Sequence, residues 1–390
     1  MLQSYILTNE VTARNEILHE VRRRLVGAVI LALGLLLGEV GVAWDVQWHA
    51  NVGPDTFFTA PHMMVFGGMA LAGLPCLFIT LLSTYNYHRR ESAQVVATTT
   101  VPVLGGSFHA PLGFLIAGLG AVVNLLNGAY DLWWHSVYGF DAVVFSPPHI
   151  GLSLAEHIAI VGAMYAFAEL YHLSPAGTWL RRATIIGIAF AAALMLCSLS
   201  FYLPEVPGLF DLLSGRTLVA VAFSSAILLL LVAVFQRPWI ATLAGGIFTL
   251  FYVGNWLFAP WATAVYASSL NLLMREGAYQ IAVLPCMYPA GFLVAALSID
   301  ALFLLARRLH WNNALCVFLL SGIAALLLAL CYPPLYVFSG VSASMVPTLL
   351  VAPLLGMVCG TLGWMLGYTL RQSSQANVGA ILAASVKESA

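Results

Sequence analysis

The sequence predicts an all-α polytopic membrane protein of about ten transmembrane helices, with a duplicated helix–loop–helix hairpin in its first half. Three observations predict it. Of 390 residues, 61% are hydrophobic and only 8% are charged, with a mean hydropathy of +0.92. Soluble domains carry about 25% charge, so apolar surface on this scale requires lipid. The apolar residues fall in long runs, and the arginines fall almost entirely between alternate runs.

The first 24 residues read as a cytoplasmic, interfacial amphipathic segment. Glu10, Glu16 and Glu20 precede Arg22-Arg23-Arg24 with no apolar core between them, which does not suit a signal peptide. Spans are expected near 25–44, 62–85, 110–131, 149–170, 183–203, 217–235, 239–258, 281–306, 313–331 and 347–370. Before the third, Val95–Gly106 is apolar too, but Pro102, Gly105 and Gly106 argue for a break or re-entrant piece. The chain thus divides into a hairpin repeat over 25–172, a second bundle over 183–370, and a mobile cytoplasmic tail over 371–390, rich in Ser, Ala, Gln and Asn. With the N-terminus inside, the inner segments hold 13 of the 15 Lys and Arg residues, and the outer ones hold only Arg216 and Arg275. The positive-inside rule then places both termini in the cytoplasm, and segments 45–61 and 132–148 outside.

Those two outer segments resemble each other. The first reads Asp45, Trp48, His49, Gly53, Asp55, Pro61-His62; the second reads Asp131, Trp134, His135, Gly139, Asp141, Pro148-His149. The second copy has one extra residue before its Pro-His. Asp and the first His are spaced i, i+4, which puts them on one helical face one turn apart. Pro at the start of the next helix sacrifices no hydrogen bond, and it places the second His in that helix's first turn. One carboxylate and two imidazoles converge in each copy, a set that suits a divalent first-row metal and leaves coordination positions open. The competing reading, a structural hydrogen-bond cluster of interfacial anchors, fits one copy better than two. Asp55 and Asp141 are placed either to orient a ligand imidazole or to cap a loop. Trp44, Trp48, Trp133 and Trp134 suit shielding of the sites, though the usual enrichment of Trp at the membrane interface explains them first.

At these residues the chain resembles the C subunit of the copper membrane monooxygenases, the particulate methane and ammonia monooxygenase family. That subunit carries Asp-x3-His-x12-His and, further on, Asn-x3-His-x13-His. Asp45, His49 and His62 match the first pattern, within the run Asp55-Thr56-x-Phe58-Thr59-x-Pro61-His62, and His135 and His149 match the second. Asp131 stands where the family has Asn. The resemblance covers roughly residues 30–172. It implies copper, oxidation of a small apolar substrate with O2, and other membrane subunits, including one with an extracytoplasmic cupredoxin-like domain. The setting would be a prokaryotic inner membrane with the metal sites toward its outer face. Ligand type by itself does not separate copper from iron or zinc. Two other functions stay open: a metal carrier or transporter, and a scaffold subunit with structural metal. With a net charge of −1 and no Gly-rich phosphate loop, nothing points to nucleic acid or nucleotides as partners.

Further polar residues lie within the apolar runs. Glu156 follows His149 by seven residues on the same helical face, a candidate for proton delivery to the second site. Glu39 sits in the first span, and Asp300 is expected to pair with Arg307. His19, His88, His172 and His310 read as interfacial, while His109 opens the third span. No two of the six cysteines form C-x-x-C, and they read as packing residues; Cys286 and Met287 are soft donors but read the same way. The sites share ligand types, yet only the first matches the family pattern fully, and the second has the longer loop. The first is therefore expected to be the better occupied.

Overall fold

The computed structural model describes residues 2–53, 56–89, 99–139, 146–210, 212–284, 291–311, 313–331 and 345–387. Among these residues the chain forms ten α-helices: α1 (Leu2–Asn51), α2 (Ala60–Arg89), α3 (Leu112–Tyr138), α4 (Pro147–Leu173), α5 (Trp179–Leu199), α6 (Gly215–Phe235), α7 (Ile240–Ser269), α8 (Phe292–Arg308), α9 (Asn313–Cys331) and α10 (Met345–Lys387). Eight apolar helical stretches are long enough to cross a membrane: Ile17–Asn51, Ala60–Arg89, Leu112–Tyr138, Pro147–Leu173, Trp179–Leu203, Gly215–Phe235, Ile240–Ser269 and Val346–Gln372. The protein is an all-α polytopic membrane protein. Closed hydrogen bonding within each helix is what lets its backbone enter lipid.

Each expected span meets a helix, but several boundaries move. α1 is continuous from Leu2, so the N-terminal segment and the first span are one helix. The eighth span, expected at 281–306, is helical only from Phe292; residues 281–284 are not helical, and 285–290 lie outside the described residues. Its 17 residues reach about 25 Å, short of a hydrocarbon layer of about 30 Å. Apolar composition extends the expected span over residues 281–284, which are not helical, because hydropathy does not register backbone geometry. α9, at 19 residues, reaches about 28 Å, close to that hydrocarbon thickness. α10 does not stop at Arg371 but runs on to Lys387. Where a break was expected before the third span, a hairpin pairs β1 (Val101–Val103) with β2 (Phe108–Ala110), and Gly105 and Gly106 turn at positive φ. Residues 95–98 of that stretch lie outside the described residues.

The chain forms two compact units. Unit one comprises Met1–Gly38, Phe57–Ala191 and Ser373–Ala390; unit two comprises Glu39–Thr56 and Ala192–Gln372. Unit one is built on small-residue seams, as membrane helices require where lipid gives no hydrophobic drive. α3 and α4 run antiparallel, so closely that a methyl group on Gly120 would lie 2.6 Å from the Ala159 nitrogen. Gly113 and Gly162 meet Ala166 and Ala117 of the facing helix as closely. In the same way Gly68 of α2 faces Gly34 and Gly38 of α1. Arg24 of α1 is buried and fully engaged. Its Nε donates to Glu20 Oε1 (2.6 Å), Nη1 to Glu169 Oε1 (3.0 Å) and Nη2 to Thr99 Oγ1 (2.9 Å).

In unit two, α8 lies beside α7 and α9, and α6 beside α7 and α9. Here one expectation is corrected. Asp300, fully buried on α8, accepts from the Thr242 backbone N–H at 2.7 Å in the first turn of α7. Arg307 instead donates to the Gln236 carbonyl at 3.2 Å, just past the end of α6. A helix start exposes unpaired N–H groups and a helix end unpaired carbonyls, so each charge goes to the complementary helix pole rather than to the other.

Candidate metal centre

The second copy of the motif lies wholly within unit one. Asp131 and His135 occupy the last two turns of α3, and His149 the first turn of α4. Ser146 caps α4, accepting from the His149 N–H at 3.5 Å, with Pro147 and Pro148 in the first helical positions. This cap explains locally why the helix begins where it does, which puts His149 opposite the end of α3. Asp131 Oδ1 lies 3.4 Å from His135 Nε2 and 3.4 Å from His149 Nε2. Asp131 is buried and the two imidazoles are partly exposed. Ligand atoms each about 2.1 Å from a metal ion and about 109° apart lie about 3.4 Å from one another. Both carboxylate–imidazole distances thus match an edge of a tetrahedral shell, and the three donor atoms, one on each residue, all lie within 4.8 Å of one another.

The tautomer of His135 is also fixed. Its Nδ1 lies 3.2 Å from the Gly139 carbonyl. A carbonyl oxygen only accepts, so Nδ1 carries the proton and Nε2 presents its lone pair toward Asp131 and His149. Gly139 ends α3 at φ 82° and ψ −175°, a region essentially restricted to glycine. This carbonyl orients the His135 ring; Asp141 and Asp55, the orienting candidates from sequence, lie outside the described residues. Gly139 was visible in the repeat as a matching glycine, but its carbonyl could not be read as a partner of His135 without the backbone angles.

The first copy divides between the units. In unit two, Asp45 Oδ1 and His49 Nε2 lie 3.6 Å apart across one turn of α1. In unit one, His62 lies in the first turn of α2, its Nδ1 3.2 Å from the Phe57 carbonyl and 3.2 Å from Thr59 Oγ1. The Phe57 contact fixes the same tautomer as in His135, leaving Nε2 as the donor atom. Thr59 belongs to the run shared with the family pattern, and its hydroxyl is an orienting group that the spacing did not single out.

The tryptophans differ between the copies. Trp48 is fully buried in unit two, 5.0 Å from the Tyr266 ring, and Trp44 meets Phe258 and Tyr266 edge-on at 5.8 Å. Both pack against aromatic side chains of unit two. Trp133 is exposed and stacks on Tyr130, while Trp134 lies 4.4 Å from Tyr138. That pair keeps the surface character expected of interfacial aromatics.

Glu156 is buried in α4, and a methyl group on Gly38 of α1 would lie 3.4 Å from its Oε1. It is separated from His149 by two helical turns, roughly 10 Å along the axis, and belongs to a deeper layer than the three ligands. His157 contacts the Ser153 carbonyl through Nδ1 at 2.6 Å. Glu39 is buried in unit two. His109 is buried in β2 and stacks on Tyr87 at 3.6 Å, a packing role. Cys76, Cys197 and Cys316 are buried free thiols; Cys286 and Met287 lie outside the described residues.

No family model, no curated protein and no solved structure matches the chain.

Proposed function

We propose that the protein is an integral membrane metalloprotein with two transition-metal sites, Asp45/His49/His62 and Asp131/His135/His149, and that it serves as the copper-binding subunit of a monooxygenase-like complex. One observation carries the metal reading: Asp131 Oδ1 stands 3.4 Å from the Nε2 atoms of two histidines, one of them held in the metal-binding tautomer by Gly139. A carboxylate with two neutral imidazoles offsets part of a cation's charge and leaves positions open for a small molecule. His62 is assigned to the first site through the repeat. Copper and the oxidation of a small apolar substrate with O2 rest on the resemblance of residues 45–62 and 135–149 to the monooxygenase C subunit. A bound copper ion would supply redox chemistry with O2; this chain's contribution is to fix the imidazoles and to place the sites where an apolar substrate arrives from lipid. The same resemblance supports further membrane subunits, one with a cupredoxin-like domain, in a prokaryotic inner membrane. The arginine distribution supports cytoplasmic termini and outward-facing sites.

Metal analysis of the purified chain tests the proposal. The expected result is between one and two equivalents of copper, falling in His135→Ala or His149→Ala by the smaller share held at the second site, since each removes one of only three ligands. His49→Ala is expected to remove more copper than His135→Ala, because the first site matches the family pattern completely. Stoichiometric zinc or iron in place of copper would overturn the copper assignment, and metal content unchanged in all three variants would overturn the sites. Glu156, buried below the second site, favours a carrier as the second reading. Metal uptake into sealed vesicles that requires His49 and His135 would select the carrier, and its absence the enzyme subunit.

A further inference from the structure

The last turns of α1 have two opposed faces. Asp45 and His49 occupy one. Gln47 and Asn51, each two residues further on, are rotated about 200° away. Both are buried, at 0% and 2% exposure, and both face the strap of residues 275–283 that follows α7 in unit two. Asn51 grips one residue of the strap from both sides. Its Oδ1 accepts from the Tyr279 N–H at 2.8 Å, and its Nδ2 donates to the Tyr279 carbonyl at 2.9 Å. Gln47 Nε2 donates to the same carbonyl at 3.1 Å, and Gln47 Oε1 accepts from the Val283 N–H at 2.8 Å. The Asn51 carbonyl accepts from the Arg275 N–H at 2.7 Å. Arg275 also lies against Gly53, where a methyl group would come within 3.0 Å of Nη2.

This is more polar matching than packing requires. The strap is largely exposed and has no helix or strand to pair its backbone, so its N–H and carbonyl groups are open to side-chain partners. Two side-chain amides supply them, and burying those amides would be unfavourable without the strap. The bonds fix both the rotation and the axial position of α1 at Gln47 and Asn51, and therefore of His49 between them and of Asp45 two residues before. We propose that Gln47 and Asn51 are positioning residues for the Asp45/His49 half-site, and that the strap couples the helices of the second half to metal occupancy there. The inference rests on the metal reading above, and it gives residues 192–372 a part in it. Coupling of this kind is reciprocal: whatever factor the closed strap contributes to metal affinity, bound metal contributes to strap closure.

The test uses the full-length chain in lipid nanodiscs, titrated with Cu(II) alone. Gln47→Met and Asn51→Leu keep side-chain bulk and remove the clasp. In a His135→Ala background, which leaves the first site to report, each is expected to weaken copper binding at least tenfold. In a His49→Ala background, which reports the second site, the change is expected to stay below twofold. In the wild-type chain, Cu(II) is expected to slow amide hydrogen exchange at Tyr279 and Val283 by a comparable factor. Unchanged affinity at the first site, or equal weakening at both, overturns the inference. If a clasp variant does not fold, the wild-type exchange measurement decides, and strap amides indifferent to copper overturn it. If His49→Ala itself leaves copper binding unchanged, the first metal site is refuted and the inference with it. Loss in His49→Ala without loss in the clasp variants refutes the clasp alone.

Discussion

At the scale of single residues, the second site depends on a backbone group as much as on its three side chains. Gly139 holds φ 82° and ψ −175°, and its carbonyl fixes the His135 ring. An alanine there is strained by about 1–3 kcal/mol and will relax by turning the peptide. Gly139→Ala is therefore expected to lower thermal stability and to weaken metal binding at the second site more than tenfold, while the Asp45/His49 pair is untouched. A metal titration in a His49→Ala background reads this directly. Wild-type affinity would mean that the carbonyl does not hold the ring. His62 is oriented by the same means, with Phe57 supplying the carbonyl. The device lies in main-chain atoms and acts on a different position of each copy, the second histidine of the first and the first histidine of the second.

At the scale of elements, the α3–α4 seam sets the second site. Asp131 and His149 meet only because the two helices run antiparallel in one register, and small residues fix that register. At Gly162 a Cβ would collide with the Ala117 backbone, whereas at Gly67 on α2 it would meet nothing within 4 Å. Gly162→Ala is expected to cost about 1–3 kcal/mol by overpacking and to shift Asp131 against His149. Unfolding midpoint and copper stoichiometry should fall together. Gly67→Ala, a change of the same size on an open helix face, should alter neither. If the two variants behave alike, the seam does not control the site. The Asp300 cap on α7 belongs to the same scale, since it ties α8 to the start of its neighbour.

At the scale of the whole molecule, the question is how many helices cross. Eight are long enough, and α8 and α9 are shorter. Adjacent helices that cross or stay together as a pair leave the count even in either case. Both termini are therefore expected on the same side, and the arginine distribution makes it the cytoplasmic one. Protease accessibility of N- and C-terminal tags, in intact and inverted vesicles, reads this out. Tags cleaved from opposite sides would require an odd count, with one of α8 and α9 crossing without the other.

The membrane class, the helices, the duplicated hairpin and the six ligand candidates were legible in the residues alone, because each is a local property. Hydropathy fixes a span within a window, i, i+4 spacing fixes a face within one turn, and Pro after Ser marks a helix start. The structure decided whatever depends on residues far apart in sequence or on backbone angles. Asp300 and Arg307 looked like partners from their spacing of seven, yet each found a helix pole on another element. The eighth span looked long because residues 281–284 are apolar, and apolarity does not report where the backbone is helical. Gly139 was visible only as a glycine until its φ showed which way its carbonyl points. Gln47 and Asn51 gave no signal, since their partner Tyr279 lies 228 residues from Asn51. Composition can say that a buried amide will need a partner, but only the folded chain brings that partner to it.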